Sequence, residues 1–282
     1  MIAVFANTLE VFKTLLNYGD VENKAIPWYQ QKTLGAIFKL AGYKTFWPDN
    51  QEVLSTNNYY SAFAYGFTYK FSTHETWNSG LAHYDQWLIP LFEQQVQPKI
   101  GAKNLILIHL FGNHPDYKGR FPKSFAKFTP GQIRYQSLHI QNDRDKQVVA
   151  DYVNSLYYTD HILEEFFKFF KDKDALILYF SDHAQDVFET NNGYGHRCST
   201  YGVEIPFVIY VTDLFKQKHP EKVKLIAQAV HKPFMSDDLI HVLLPLTGIH
   251  TKDYMASKDL LSLQFDTHRK RIYCEGHLYN KP

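Results

Sequence analysis

An apolar run of strand formers, Leu176 to Phe180, leads straight into Ser181, Asp182 and His183. In an open α/β sheet, ligands bind beyond the carboxyl ends of the strands. Asp182 offers a charged oxygen there and His183 a neutral nitrogen, a pair that suits a divalent metal such as zinc. The competing reading is a helix N-cap followed by a surface histidine. A second apolar run, Asn104 to Leu110, ends in Phe111, Gly112, Asn113, His114 and Pro115. Gly112 permits a sharp turn that delivers His114 to the strand end. His109, inside that run, reads as a core or supporting histidine. A third candidate, His196, closes the polar loop 184–197. With 14 histidines in the chain, each is weak by itself. Two of the three directly follow strong apolar strands, and together with Asp182 they suggest a metal-dependent hydrolase or transferase. Near the start of the chain, apolar positions 9, 12, 15 and 16 have helical spacing. Asn7 or Thr8 then stands where an N-cap belongs. The same place would favour a nucleophile through the helix dipole and the free N–H groups. Capping is the simpler account.

These residues need a scaffold, and the pattern supplies one. The sequence predicts a helix over 32–42 that stops at Gly42, a strand over 43–47 and a polar loop at 48–51 that contains Asn50. Residues 52–80 show no period. A helix over about 83–95 should face Trp87, Leu88, Leu91 and Phe92 inward. The basic, aromatic stretch 117–130 reads as a long loop beside the site. The longest helix is expected over 146–171, with a broad apolar face that includes Val149, Leu156, Tyr157, Ile162 and Phe166. A third buried strand is expected over 204–211, and a helix over 220–231. Ser236, Asp237 and Asp238 should cap a helix that ends at Gly248, and a short hairpin is expected near 271–274. Strands alternating with helices predict an α/β fold with a mostly parallel sheet. No repeat or linker divides the chain, so one domain is expected over residues 1–282.

The composition, 45% hydrophobic and 21% charged, is that of a globular protein. Aromatic residues reach 16%, which names no ligand. A net charge of +1, with no basic tract longer than Arg269 to Arg271, gives no sign of nucleic-acid binding. The apolar runs are too short to span a bilayer, and Met1 to Phe5 lack the basic start of a signal peptide, so a soluble chain is expected. Cys198 and Cys274 fit no CxxC pattern; one disulfide and two free thiols are equally open.

Five separated motifs, spread in order from about Asn7 to about Gly248, resemble one family. They are Gly42 to Trp47 with Asn50 and Gln51; Leu110 to Pro115; Tyr117 to Phe128; Asn154 to Asp160; and Phe180 to His183 with the later Tyr194 to His196. They look like the soluble domain of the bacterial phosphoethanolamine transferases of the alkaline-phosphatase/sulfatase superfamily. The resemblance implies a three-layer α/β fold and zinc-dependent, ping-pong phosphoryl transfer. In it a threonine, best matched by Thr8, takes phosphoethanolamine from phosphatidylethanolamine and passes it to lipid A or the lipopolysaccharide core. Asp182 and His183, with Thr8, match ligands of the primary zinc. His114 and His196 match histidines that contact a second zinc or the substrate phosphate, and Asn50 matches a substrate-side loop. The resemblance also implies a monomer, anchored in full-length form to the periplasmic face of the inner membrane. Two departures stand out. The family's membrane domain and the Gly-Glu-Ser motif, whose glutamate binds the primary zinc, do not occur in these residues. Weak metal binding and little or no transfer are therefore expected of the 282 residues alone. Ala184 also stands where the family has glycine. The alternatives are a related phosphodiesterase, sulfatase or phosphoglycerol transferase, and a degenerate, non-catalytic domain. The phrase Phe125 to Pro130 favours the transferase, and no Cys-x-Pro-x-Arg motif supports a sulfatase.

Overall fold

A computed structural model of the chain describes residues 1–23, 25–51, 59–74 and 83–281. Parts of the aperiodic stretch 52–80, namely 52–58 and 75–80, lie outside the described residues. The chain forms two compact units. One comprises residues 35–168 and 187–195, the other residues 1–34, 169–186 and 196–282.

In the unit of residues 35–168 and 187–195, three parallel strands form a sheet. Lys44–Asp49 lies between Tyr69–Ser72 and Asn104–Ile106. The register sets Phe46 opposite both Tyr69 and Ile106. Phe46 and Trp47 are fully buried, as a central parallel strand requires. The preceding helix, Leu34–Leu40, ends where Gly42 adopts φ +83°, and the Tyr43 N–H reaches back 3.0 Å to the Phe38 carbonyl. Only glycine takes that conformation without penalty. Pairing on the far side continues past Ile106, since the His109 N–H donates to the Pro48 carbonyl at 2.9 Å.

The helix expected over 83–95 is broken into pieces. Asp85–Trp87 is a 3-10 turn, Leu88–Leu91 a single α turn, Phe92–Val96 a π turn and Gln97–Lys99 another 3-10 turn. Pro90 and Pro98 each lack the N–H that a continuous helix needs. Leu88 and Phe92 are buried as expected, but Trp87 is exposed and stacks on His83 with ring centroids 4.6 Å apart. The long helix spans Asp143–Phe170, and its buried face also differs from expectation. Leu156 and Tyr157 are exposed, whereas Asn154, Ser155 and Thr159 are buried. Apolar periodicity could not show this, because the polar side chains hold loops: Asn154 bonds both the N–H and the carbonyl of Phe128, at 2.8 and 2.9 Å.

In the other unit, Leu176–Phe180 pairs with Phe207–Val211 in an antiparallel ribbon. The second strand is not buried as expected. Val208 and Tyr210 face outward, and burial alternates along it. Ile2 forms isolated bridges to Glu204, just before the second strand of this ribbon, and to Met235, which ties down the chain start. The helices Pro220–Gln228 and Leu239–Leu246 and a small hairpin, Ile272–Tyr273 with His277–Leu278, match expectation. Asp237 and Asp238 do not cap the following helix. Instead they meet Arg269, which also bonds Glu22. Cys198 and Cys274 form a disulfide across 76 residues.

Candidate metal-dependent active site

Thr8 opens the helix Thr8–Leu15, and Asn7 before it is the cap. The Asn7 backbone is extended, and its Oδ1 accepts the Glu10 N–H at 3.0 Å. The Thr8 hydroxyl is thereby free of capping duty. Only 7% exposed, it lies with Oγ1 3.4 Å from Nε2 of His183.

His183 follows the Leu176–Phe180 strand and is buried. Its Nδ1 lies 2.9 Å from the Ala184 carbonyl oxygen. A carbonyl only accepts, so Nδ1 carries a proton and Nε2 is the nitrogen left to serve the site. Nε2 lies 3.7 Å from Asp182 Oδ2. Asp182 Oδ2 is itself shut off from water and has no hydrogen-bond partner among the described residues. The turn is closed locally. The Ser181 hydroxyl donates to the His183 carbonyl, and the Ala184 N–H donates to the Gly202 carbonyl at 3.0 Å. The Ala184 methyl is accommodated, and its carbonyl fixes the histidine tautomer as a glycine carbonyl would.

His196 packs edge-on against His183, with ring centroids 4.6 Å apart. Sequence reasoning missed what fixes its loop. The Ser199 hydroxyl donates to the fully buried Asp186 at 2.7 Å, and Ser199 also caps the turn Thr200–Val203. Gly202 is obligatory, because a Cβ there would lie 1.9 Å from the Arg197 carbonyl oxygen. The disulfide ties Cys198 to the tail two residues after His196. The polar run after His183 held Asp186 in view, but nothing in its spacing marked it.

Three ligand atoms are thus grouped around His183: the Thr8 hydroxyl oxygen, the Asp182 carboxylate oxygen and the imidazole Nε2. A buried carboxylate oxygen without a hydrogen-bond partner is unfavourable unless positive charge lies beside it. Thr8, Asp182 and His183 therefore fit zinc, and a catalytic zinc keeps a further position open for water or substrate. A second group, His161, Glu164 and Glu165, lies on the long helix. Lys168 already pairs with both glutamates there, at 3.2 and 2.7 Å, so it is a surface ion-pair cluster.

The unit of residues 35–168 carries the other candidates. His114 lies against Phe111, with ring centroids 5.2 Å apart, and its Nδ1 is 3.4 Å from the Pro115 carbonyl. Asn113 anchors the turn by donating to Ser155 at 2.9 Å and Thr159 at 3.3 Å. Asn50 is buried, and its amide is engaged within the unit. Nδ2 donates to Asp85 at 2.7 Å and to the His83 carbonyl at 3.0 Å, while Oδ1 accepts from Thr73. Asp85, which lay unnoticed at the start of an expected helix, also accepts the N–H groups of Phe111 and Gly112 at 2.8 and 2.9 Å. Burial raises its pKa, against the opposing pull of those three donors. His109 has the supporting role foreseen for it: its Nδ1 meets the buried Asp49 at 2.7 Å.

Comparison with known proteins matches this architecture. Residues 7–249 match the Sulfatase family model. The chain is 27% identical to phosphoethanolamine transferase EptC of Escherichia coli O18:K1:H7, over 97% of this chain and 47% of that protein. Phosphoethanolamine transferase CptA of Salmonella typhimurium is likewise 27% identical, over 97% and 47%. The chain therefore spans about half the length of the curated relatives it matches. Its fold is that of the C-terminal periplasmic domain of EptC from Escherichia coli, with a TM-score of 0.85 at 24% identity, over 97% of this chain and 77% of that one. A complex of the same domain with zinc gives 0.84 at 24% identity, over 94% and 74%. By its matched residues and its fold, the chain belongs to the sulfatase family.

Proposed function

We propose that the chain is the catalytic domain of a phosphoethanolamine transferase that works through a threonine nucleophile. The observation that carries this reading is the buried Thr8 hydroxyl, uncapped at a helix start and 3.4 Å from His183 Nε2, with Asp182 Oδ2 beyond it. The names of the relatives support the group transferred. The donor is phosphatidylethanolamine. As the Thr8 oxygen bonds to phosphorus, the bond to the diacylglycerol oxygen breaks, and the threonine proton ends on the departing diacylglycerol. An oxygen of a lipid A or lipopolysaccharide-core acceptor then bonds to the phosphorus, the bond to the Thr8 oxygen breaks, and the acceptor's proton ends on Thr8. Phosphoryl transfer depends on positioning and charge more than on further covalent chemistry. The helix start sets the Thr8 oxygen in place, with the dipole favouring negative charge. Asp182, His183 and Thr8 would hold zinc, which would supply a lowered hydroxyl pKa and positive charge for phosphoryl oxygens. His196, beside His183, serves a second metal or the substrate phosphate; His114, in the other unit, is a separate candidate for such a contact. Asn50 shapes the substrate side of its loop.

The proposed location is the periplasmic face of the inner membrane, and the proposed working form is a membrane-anchored monomer. The disulfide fits an oxidising compartment. No helix among the described residues is long and apolar enough to cross a membrane.

The test is single-turnover labelling. The chain is incubated with phosphatidylethanolamine and saturating zinc, and the Thr8 peptide is examined by mass spectrometry. No acceptor is needed, so slow turnover does not hide the result. Phosphoethanolamine on Thr8, absent in Thr8→Ala and in Asp182→Ala, is expected. Labelling at another residue, or labelling that persists in Asp182→Ala, would sink the proposal.

A further inference from the structure

Arg120 ends the short turn Tyr117–Arg120, which begins at Asp116 in the left-handed conformation, φ +67°. The Gly119 N–H closes the turn on the Asp116 carbonyl at 2.9 Å. The Arg120 guanidinium lies over Phe111, its carbon 3.9 Å from the ring centroid. His114 packs on the same ring. The guanidinium is poorly served by its surroundings. Its Nη2 makes one long contact, 3.4 Å, to the Pro115 carbonyl. Its Nε and Nη1 are shut off from water and donate to nothing among the described residues. Asp116 and Asp85 favour its charge only from a distance, and burial outweighs them, which pulls its pKa down. Asp85 is already occupied by three donors.

A cation that loses water without gaining hydrogen bonds destabilises the fold. Such groups persist where function needs them, and arginine is the side chain suited to two-point recognition of phosphoryl oxygens. We propose that Arg120, which shares the Phe111 ring with His114, is an anchor for a phosphoryl group through its guanidinium. This rests on the phosphoryl-transfer reading above. Phe111 supports the guanidinium from one side, and Nη2 gives up only its long Pro115 contact when it turns to an anion.

Two readouts test it on the full chain with Arg120→Met and Arg120→Lys. Calorimetric titration uses phosphoethanolamine, inorganic phosphate and ethanolamine as probes. Wild type is expected to bind the first two and not the third, with affinity at least about tenfold weaker in Arg120→Met and partly kept in Arg120→Lys. Tighter binding of phosphoethanolamine than of phosphate assigns the subsite to the donor headgroup; equal binding assigns it to a bare phosphoryl group. The second readout is melting without ligand. Arg120→Met should melt higher than wild type, by roughly 2–4 °C, because a poorly paired buried charge is gone. A merely structural arginine would give the opposite sign. Equal phosphate affinity in wild type and Arg120→Met, no phosphate binding at all, or ethanolamine binding as well as phosphoethanolamine, overturns the subsite. Failure of Thr8 labelling in the experiment above defeats the transferase reading and leaves these affinities to stand or fall separately.

Discussion

Replacing Asp182 with asparagine should make the metal-free protein more stable and the zinc-loaded protein less so. In the fold, Asp182 Oδ2 is buried without a hydrogen-bond partner among the described residues and lies 3.7 Å from His183 Nε2. An unsatisfied buried polar group costs about 1–3 kcal/mol, more when charged. The Asp182 side chain is still 23% exposed, which moderates the penalty. Asparagine removes the charge and turns an N–H toward Nε2, so the gain should be about 1–2 kcal/mol, or roughly 2–6 °C in melting temperature. Zinc reverses the order. A ligand at a hundred times its dissociation constant stabilises by about 2.7 kcal/mol, and the variant, lacking the charged oxygen, should gain little of that. The assay is scanning calorimetry of both proteins in chelator and in excess zinc. The two melting curves should exchange places between the two conditions. An Asp182→Asn protein that melts lower than wild type in chelator, or that shifts as far as wild type with zinc, would show that Asp182 is a structural carboxylate and not a ligand.

The other predictions concern the unit that carries Thr8. Arg269 joins the nearly fully buried Asp237 and Asp238, so Arg269→Met should leave two buried carboxylates poorly matched and cost about 3–5 kcal/mol in denaturant unfolding. A loss under about 1 kcal/mol would contradict that pairing. His241 is buried, its pKa pushed down to about 4 by desolvation and then by Lys258, against the opposite pull of Asp20 and Asp237. Its Nδ1 accepts the Met255 N–H at 3.1 Å, which only the neutral ring can do. The unfolded histidine takes a proton near pH 6.5 and the folded one only near 4. Stability is therefore complete above 6.5 and falls as pH drops from 6.5 to 4, by about 2–3 kcal/mol from this group. His241→Asn should flatten that part of the unfolding-energy profile, and an unchanged slope would exclude the histidine as its source. Replacing both Cys198 and Cys274 with serine opens a 76-residue loop and should cost about 2–5 kcal/mol of unfolding free energy. It should also broaden the His196 imidazole resonances in NMR, since His196 is two residues from the bridge; sharp, unshifted resonances would show that the bridge does not hold the loop.

Much of this was readable in the sequence, for identifiable reasons. The strand ends at Asp49 and Phe180 are marked by abrupt changes from apolar to polar residues, and the site histidines follow such changes. Gly42 and Gly248 mark helix ends because each adopts positive φ, a need that sequence displays openly. What stayed hidden depends on long-range polar contacts. Asn154, Ser155 and Thr159 look like the outer face of a helix, yet they are buried because loop groups distant in sequence need partners. Asp85, Asp186 and Asp237 are short acidic side chains without periodic neighbours, and only the fold reveals their donors. Thr8 and Asn7 were interchangeable as caps on sequence; the extended Asn7 backbone decides between them. The Phe207–Val211 strand was expected to be buried because its residues are apolar, but its outward face is covered by no described residue heavily enough to bury Val208 or Tyr210.

We propose that Thr8, Asp182 and His183 act together as a metal site. Equilibrium dialysis of wild type, Asp182→Ala and His183→Ala against excess zinc, read by elemental analysis, tests it most directly. Zinc retained by wild type and lost in both variants is the predicted result. Equal zinc in all three proteins, or none in any, would contradict it.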